Sequence, residues 1–258
     1  GESVLQETVI IKVKKTTVKP EFINITSSST SLFSDLKSFK ASYDTVVSRN
    51  QFVYLVTNEN DAAILSMINR FDKTLLDINL RMQTGLIVDF RTREVLRNQL
   101  EEDSYPLLYS QHIKNGRVVW PLGKEGEVIK TDRRSFLQEN SDFLMVKRFT
   151  SKEEERRLQC GIYLKQRFPQ FQYISTQNKI NFIKCDSTCI AYGLFVLLNS
   201  SFYDKYYRIL NGSTQVNSTE INQMPVPDRA LIENMGRDLI HKELSVANCN
   251  EIFTKWIN

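Results

Sequence analysis

The sequence is poor in the residues that most enzyme chemistries need. Its 258 residues include two histidines, His112 and His241, nine glycines and no adjacent prolines. No H-E-x-x-H and no G-x-S-x-G occurs, which excludes the common zinc-protease and serine-hydrolase constellations. With so few glycines there is neither a G-x-G-x-x-G turn nor a Walker loop to cradle phosphates. The four cysteines, Cys160, Cys185, Cys189 and Cys249, are too few for a disulfide scaffold. Cys185 and Cys189 have no neighbouring histidine and no second close pair, so a tetrahedral zinc site is not built from them. Free thiols point to a reducing, cytoplasmic compartment. No apolar run approaches the ~20 residues needed to span a bilayer. The longest lies around Ile190 to Leu198, and no secretory signal is present, so no membrane partner is expected. Net charge is also small: 34 Lys and Arg against 30 Asp and Glu leave +4, which permits a nucleic-acid partner without requiring one.

What is present describes an ordinary folded chain, 41% apolar and 25% charged. Metal-dependent nuclease chemistry would need clustered carboxylates. Glu153, Glu154 and Glu155 are adjacent, but adjacent helical residues point to different faces. They read as a solvated face shared with Arg156 and Arg157. No catalytic mechanism internal to this chain follows.

Three zones emerge. In residues 1–80, Val4 to Val13 and Phe22 to Thr26 pattern as strands, followed by a Ser/Thr-rich loop to Ser34. Gln51 to Val56 patterns as a third strand. Asn60 or Asp61 then caps a helix with Ile64, Leu65, Ile68 and Phe71 on one face. The chain begins at Gly1 and enters a strand pattern almost at once, as a piece of something larger would; a processed N-terminus or added leading residues would give the same appearance.

In residues 81–227, strands are expected at Gly85 to Phe90, Pro106 to Tyr109, Arg117 to Trp120, Phe143 to Phe149 and Asn181 to Lys184. Asn115-Gly116 supplies the positive φ of a tight hairpin. Ser151 to Glu154 reads either as a capped helix start or as a turn before a strand. Ile190 to Leu210 predicts one long helix ended by a left-handed Gly212. In residues 228–258, Asp228 caps a helix over Arg229 to Glu243, and a last amphipathic turn carries Ile252, Phe253 and Trp256. Strands and helices mix without regular βαβ alternation, which predicts α+β.

Three segments combine hydrogen-bonding side chains with cations: Arg81 to Gly85, Asp132-Arg133-Arg134 with Lys147-Arg148 after it, and Asn211 to Thr219. The last carries seven uncharged hydrogen-bonding residues in nine. Asn and Gln can bond a base edge bidentately, and Ser or Thr can bond bases or phosphates. The same composition also fits a helix C-cap followed by a polar loop.

The residues resemble a family. Thr84-Gly85-Leu86-Ile87-Val88-Asp89-Phe90-Arg91, Pro106-Leu107-Leu108-Tyr109 through Gly116, and Val119-Trp120-Pro121 look like the target-recognition region of N6-adenine DNA methyltransferases of restriction–modification systems. So do Val146 to Glu154, Tyr192-Gly193-Leu194 through Ser200, and Asn211 to Asn222 with Met224-Pro225-Val226-Pro227. Val4 to Ile10 resembles the last strands of that family's catalytic domain.

The resemblance implies a mixed-sheet α+β recognition domain at 81–227 with flanking helices. It would be preceded at 1–80 by the edge of an α/β catalytic domain plus linker, and followed by a helical tail at 228–258. In the family an F-x-G-x-G loop cradles S-adenosylmethionine and N-P-P-[FY] grips a flipped adenine. Neither motif occurs here, so both would lie upstream of Gly1. The resemblance thus implies a parent adenine-specific methyltransferase using S-adenosylmethionine, with this chain alone inactive. Its partners would be double-stranded DNA and the N-terminal catalytic half. Thr84, Lys147, Arg148, Lys179, Gln215 and Asn217 become DNA-contact candidates, and Arg133 and Arg134 phosphate contacts. Two other readings stand beside it: a stand-alone specificity subunit docking on a separate methylase or nuclease, and a non-catalytic protein-interaction domain.

Overall fold

A computed structural model describes residues 9–30, 32–47, 53–150 and 154–257. The chain divides into two compact units, Gly1–Arg70 with Lys205–Ser213, and Phe71–Asp204 with Thr214–Asn258.

The first unit contains an antiparallel hairpin of β1 (Phe22–Ser27) and β2 (Lys37–Ser42), then α1 (Tyr43–Val46) and α2 (Glu59–Ile68). Every second residue of β1 is exposed, the alternation of a strand with one covered face. Asn58 caps α2 by accepting the Asp61 N–H, so the helix starts earlier than the Asn60 or Asp61 cap expected from sequence. Ile64, Leu65 and Ile68 form its buried face as expected, while Phe71 lies beyond its end. Two expected strands fail. Val9 to Val13 is exposed and irregular, with no ladder partner among the described residues, and residues 4–8 lie outside them. Val53 makes one isolated bridge to Val47 and the chain beyond it is not strand, while residues 51 and 52 lie outside the described residues. Apolar residues in sequence could not reveal that, among the described residues, Val9 to Val13 has no ladder partner and Val53 has only the single bridge to Val47.

The second unit carries two mixed sheets. In chain order its strands are β3 (Met82–Thr84), β4 (Leu96–Arg97), β5 (Ser104–Leu108), β6 (Ile113–Lys114), β7 (Arg117–Val118), β8 (Val128–Lys130), β9 (Gln138–Glu139), β10 (Asp142–Lys147), β11 (Cys160–Tyr163), β12 (Tyr173–Thr176) and β13 (Ile180–Cys185). One sheet runs β3-β13-β10-β11-β7-β6 and the other β4-β8-β5-β12-β9. Pairing is antiparallel except β11 with β7 and β5 with β12. The chain is thus mixed α and β with mixed sheets, as an α+β class requires.

β10 is buried along Asp142 to Val146 because both its faces are covered. Phe143 and Met145 join an aromatic-rich core with Trp120, Tyr163 and Phe182. Leu144 and Val146 point to the other face, where α3 (Thr188–Asn199) lies against β10 and β11. The Asn115-Gly116 turn has φ of 48° and 75° and joins β6 to β7, the hairpin predicted from that dipeptide.

Gly85 to Phe90 is not a strand. The Gly85 backbone lies so close to the Gln177 carbonyl that a Cβ there would sit 2.1 Å from its oxygen. The chain turns at that contact, and Ile87 makes only a single parallel bridge to Gln177. The expected helix over Ile190 to Leu210 is two helices, α3 and α4 (Ser201–Leu210). Ser200 is extended, donates through its hydroxyl to the Leu197 carbonyl at 2.7 Å and accepts the Tyr203 N–H, so it ends one helix and starts the next. Gly212 is not among the residues of positive φ, so no left-handed cap ends α4.

The remaining helices are α5 (Ser218–Gln223), α6 (Arg229–Leu239) and α7 (Val246–Ile257). Asp228 caps α6 as expected, by accepting the Leu231 N–H at 2.9 Å, but α6 stops short of Glu243. The tail is a full three-turn helix rather than a single turn.

Gly193 of α3 and Gly236 of α6 let these helices meet backbone to backbone: a Cβ on either would lie 1.9 Å from a carbonyl oxygen of the facing helix. Gly193→Ala is therefore expected to destabilise the protein by about 1–3 kcal/mol through overpacking, read as a lower urea midpoint. An unchanged midpoint would show that the helices separate freely.

The Arg156-Arg157 pair is not a solvated face. Arg157 is 1% exposed, its Nε–H donating to Thr150 Oγ1 at 3.2 Å, and Arg156 is partly buried. Residues 151–153, where a helix start was expected as one option, lie outside the described residues; the strand expected as the other option is β11.

Candidate nucleic-acid interface

Six of the eight expected contact residues lie around one end of the strands β3, β13 and β10. Thr84 is the last residue of β3 and pairs with Asn181 of β13, and its hydroxyl donates to Asn181 Oδ1 at 3.0 Å. Asn181 in turn donates through Nδ2 to the Val216 carbonyl at 2.8 Å. Val216 N–H donates to the Arg148 carbonyl, and Arg148 N–H donates to the Lys179 carbonyl at 2.9 Å. Lys147, the end of β10, pairs with Ile180. Gln215 makes an isolated bridge to Phe149, and Asn217 caps α5 by accepting the Thr219 N–H at 2.9 Å. Arg133 and Arg134 lie apart from this rim, beside the five-stranded sheet, Arg134 over the Tyr173 ring at 4.5 Å and Arg133 over Phe136 at 5.4 Å. Both are exposed.

The backbone of 214–218 therefore holds strand ends together, which is the structural role such a polar segment fills by composition. The side chains left at its border are a mixture of cations, amides and hydroxyls. Lys179 is exposed, and Arg148 is steadied by one N–H bond to the Asn178 carbonyl at 3.0 Å.

Sequence reasoning passed over the aromatic component. Phe149 is 48% exposed with the Arg148 guanidinium 5.5 Å from its ring centre. Phe90 is 64% exposed with Arg91 at 5.3 Å. The 85–91 loop is fastened to the same turn, because Leu86 and Ile87 N–H donate to Thr176 O and Asn178 N–H donates to Ile87 O at 2.7 Å. The available signal was the adjacency Phe-Arg or Arg-Phe outside a buried strand. Exposed aromatics beside guanidinium groups offer stacking surfaces and positive charge together.

A second polar cluster is enclosed and cannot reach a ligand. His112 is fully buried; its Nδ1 accepts the Tyr109 N–H at 2.8 Å, so the proton sits on Nε2, which donates to Glu127 at 3.0 Å. Glu127 also accepts the N–H groups of Leu122 and Gly123. Burial pushes the His112 imidazole below its ordinary range despite the carboxylate beside it. Burial opposes charge on Glu127, but His112 and the backbone N–H groups outweigh it and hold the carboxyl below its usual range.

Both shifts act with the same sign. A depressed imidazole means that the unfolded chain takes up a proton first, so stability is full above about pH 6.5 and declines as pH falls below it. Glu127 adds a further loss below the ordinary carboxylate range, about pH 4.3. Thermal melts are expected to show a lower midpoint near pH 5.5 than near pH 7.5, by a few degrees. A flat midpoint across that range would show that His112 is not held neutral.

Among the described residues no group of three or more His, Cys, Asp or Glu side chains could hold a metal, and no helix is long and apolar enough to cross a membrane. No protein-family profile matches the sequence. Two curated proteins are similar along nearly all of it. The type II methyltransferase M.PstI of Providencia stuartii is 29% identical over 269 residues, covering 99% of this chain and 52% of that protein. The type II methyltransferase M.BsuBI of Bacillus subtilis is 33% identical over 248 residues, covering 93% of this chain and 49% of that protein. This chain is related to type II methyltransferases. It spans about half the length of these curated relatives.

Two solved structures also resemble it, both from restriction–modification proteins. One is a chain of a type I restriction–modification system, at 9% identity and a TM-score of 0.44, covering 77% of this chain and 51% of that one. The other is the type IIG restriction endonuclease BpuSI, at 8% identity and a TM-score of 0.45, covering 87% of this chain and 36% of that one. Likenesses this distant carry no argument about the site.

Proposed function

We propose that the chain reads double-stranded DNA sequence for an S-adenosylmethionine-dependent adenine-N6 DNA methyltransferase of a restriction–modification system. In this reading residues 81–227 are the recognition domain, 1–80 the edge of the catalytic domain with its linker, and 228–258 a helical tail. Methyl transfer belongs to an N-terminal catalytic half, and the protein works in the cytoplasm.

The observation that carries the reading is the convergence of Thr84, Arg148, Lys179, Gln215 and Asn217, far apart in sequence, on one rim bordered by exposed Phe90 and Phe149. Amides and hydroxyls suit base edges, while the cations suit phosphates. The match to methyltransferases along nearly the whole chain supports the same reading.

The described residues do not fit a cradle for S-adenosylmethionine. Gly85 follows β3 but is walled by the Gln177 carbonyl, and Gly123 and Gly126 lie in the connection from β7 to β8, with no helix after them. In this reading the chain's residues hold and orient DNA, and no step of methyl transfer is assigned to them. The test is duplex binding by fluorescence anisotropy across a salt series, together with adenine methylation after a family catalytic half is added. Binding that weakens steeply with salt supports the reading; no binding at low salt and no restored methylation would end it.

A further inference from the structure

Beside the hairpin of β6 and β7 is a surface cavity of about 440 Å³ whose lining includes Gly116, Lys114, Lys147, Arg156, Gln159 and Asn199. We infer that this cavity is a phosphate seat, and, resting on the DNA-reading proposal above, that it holds a backbone phosphodiester of the duplex.

Three cations converge there from three separate stretches of chain. Among the described residues no carboxylate pairs with Lys114 or Lys147. Asp204 lies 3.8 Å from Arg156 and is already engaged by the N–H groups of Arg157 and Leu158, and Glu154 accepts from Gln159. Positive charge is thus left in excess at a concave surface. Arg156 spends its terminal Nη2 on the Leu198 and Ser200 carbonyls, which fixes the guanidinium, while its buried Nε has no partner. A guanidinium clamped in place beside two ammonium groups suits an oxyanion with several acceptor atoms, as a phosphate has.

The geometry around Lys114 is also fixed: Asn115 and Gly116 hold positive φ at the turn, and Lys114 pairs with Arg117 across the hairpin. The connection to DNA is Lys147. It borders the cavity and, at the end of β10, pairs with Ile180, next to Lys179 of the rim described above.

The experiment measures duplex affinity of the full chain, wild type and Lys114→Gln, between about 50 and 200 mM salt. Lys114 is exposed, and a thermal melt checks that the variant stays folded. Lys147→Gln serves as the second variant. A second arm titrates inorganic phosphate into the same proteins by calorimetry. The expected result is a several-fold weaker affinity for duplexes of any sequence, with a salt slope shallower by about 0.9 for each variant. If wild type binds duplex while both variants keep its affinity and slope, the seat is refuted and the DNA reading stands. If wild type binds no duplex but binds inorganic phosphate in a Lys114-dependent way, the seat serves free phosphate and the DNA reading alone fails. If neither ligand binds, both fall.

Discussion

Asp204→Ala is expected to destabilise the protein by about 3–5 kcal/mol, the range for removing one partner of a buried charged network. Asp204 is 6% exposed, and its Oδ1 accepts the N–H of Arg157 at 2.8 Å and of Leu158 at 2.7 Å. The same oxygen lies 3.8 Å from the Arg156 guanidinium. Alanine would leave two buried donors without that acceptor and a partly buried cation without its counter-charge. The segment they belong to leads directly into β11, in the middle of the six-stranded sheet, so the loss cannot be confined to a surface loop. Asp204→Asn separates the two contributions. Its amide oxygen can still accept both N–H groups, and it loses only the charge, for which about 1–2 kcal/mol is expected. Urea denaturation of the three proteins measures both. If alanine cost no more than asparagine, the backbone N–H bonds would contribute nothing and the anchoring role would be wrong.

The second large effect concerns binding. The double substitution Arg148→Gln with Lys179→Gln removes two cations from the rim while leaving amides of moderate size. With two fewer phosphates neutralised, the salt slope should become shallower by about 1.8, and duplex affinity at low salt should fall by roughly tenfold or more, whatever the sequence. Gln215→Ala should behave differently. A side chain that bonds a base edge contributes about 1–3 kcal/mol of discrimination, so its removal would relax sequence preference at one position with little change in slope. The Arg148 substitution also removes the bond to the Asn178 carbonyl, so a melting curve must accompany the binding data. Unaltered affinity and slope in a folded double variant would remove the rim from consideration as a DNA contact surface.

Much of the fold was legible where local chemistry decides it. Asn115-Gly116 specified its hairpin, Asp228 its helix cap, and the apolar run from Phe143 a strand, β10. The reading failed where the deciding partner is distant in sequence. Val9 to Val13 looks like a strand, but a strand exists only with a neighbour to bond. Gly85 to Phe90 has a strand's apolar character, but the Gln177 carbonyl stops the strand at its first residue. Arg157 reads as surface until Thr150 and Asp204, from other stretches of chain, are placed around it. Ser200 is the exception, a local break: it lies in the polar triplet Asn199-Ser200-Ser201, and its bonds to Leu197 and Tyr203, three residues to either side, end one helix and start the next.

The candidate site divides in the same way. The polar character of Asn211 to Thr219 was visible along the chain, but the proximity of Gln215 and Val216 to Arg148 and Asn181 is a property of topology. Lys114 gave no signal at all, because a lysine before a turn is ordinary and the cavity beside it is assembled from four stretches of chain.

A selection from randomised duplexes probes the claim of sequence reading most directly. The chain would be equilibrated at low salt with a pool of random double-stranded DNA, and the bound fraction sequenced. Enrichment of one short sequence is expected, weakened when Thr84 and Gln215 are both changed to alanine in a protein that still folds. Retention of DNA without any preferred sequence, or enrichment indifferent to those two side chains, would contradict the assignment of base reading to this rim.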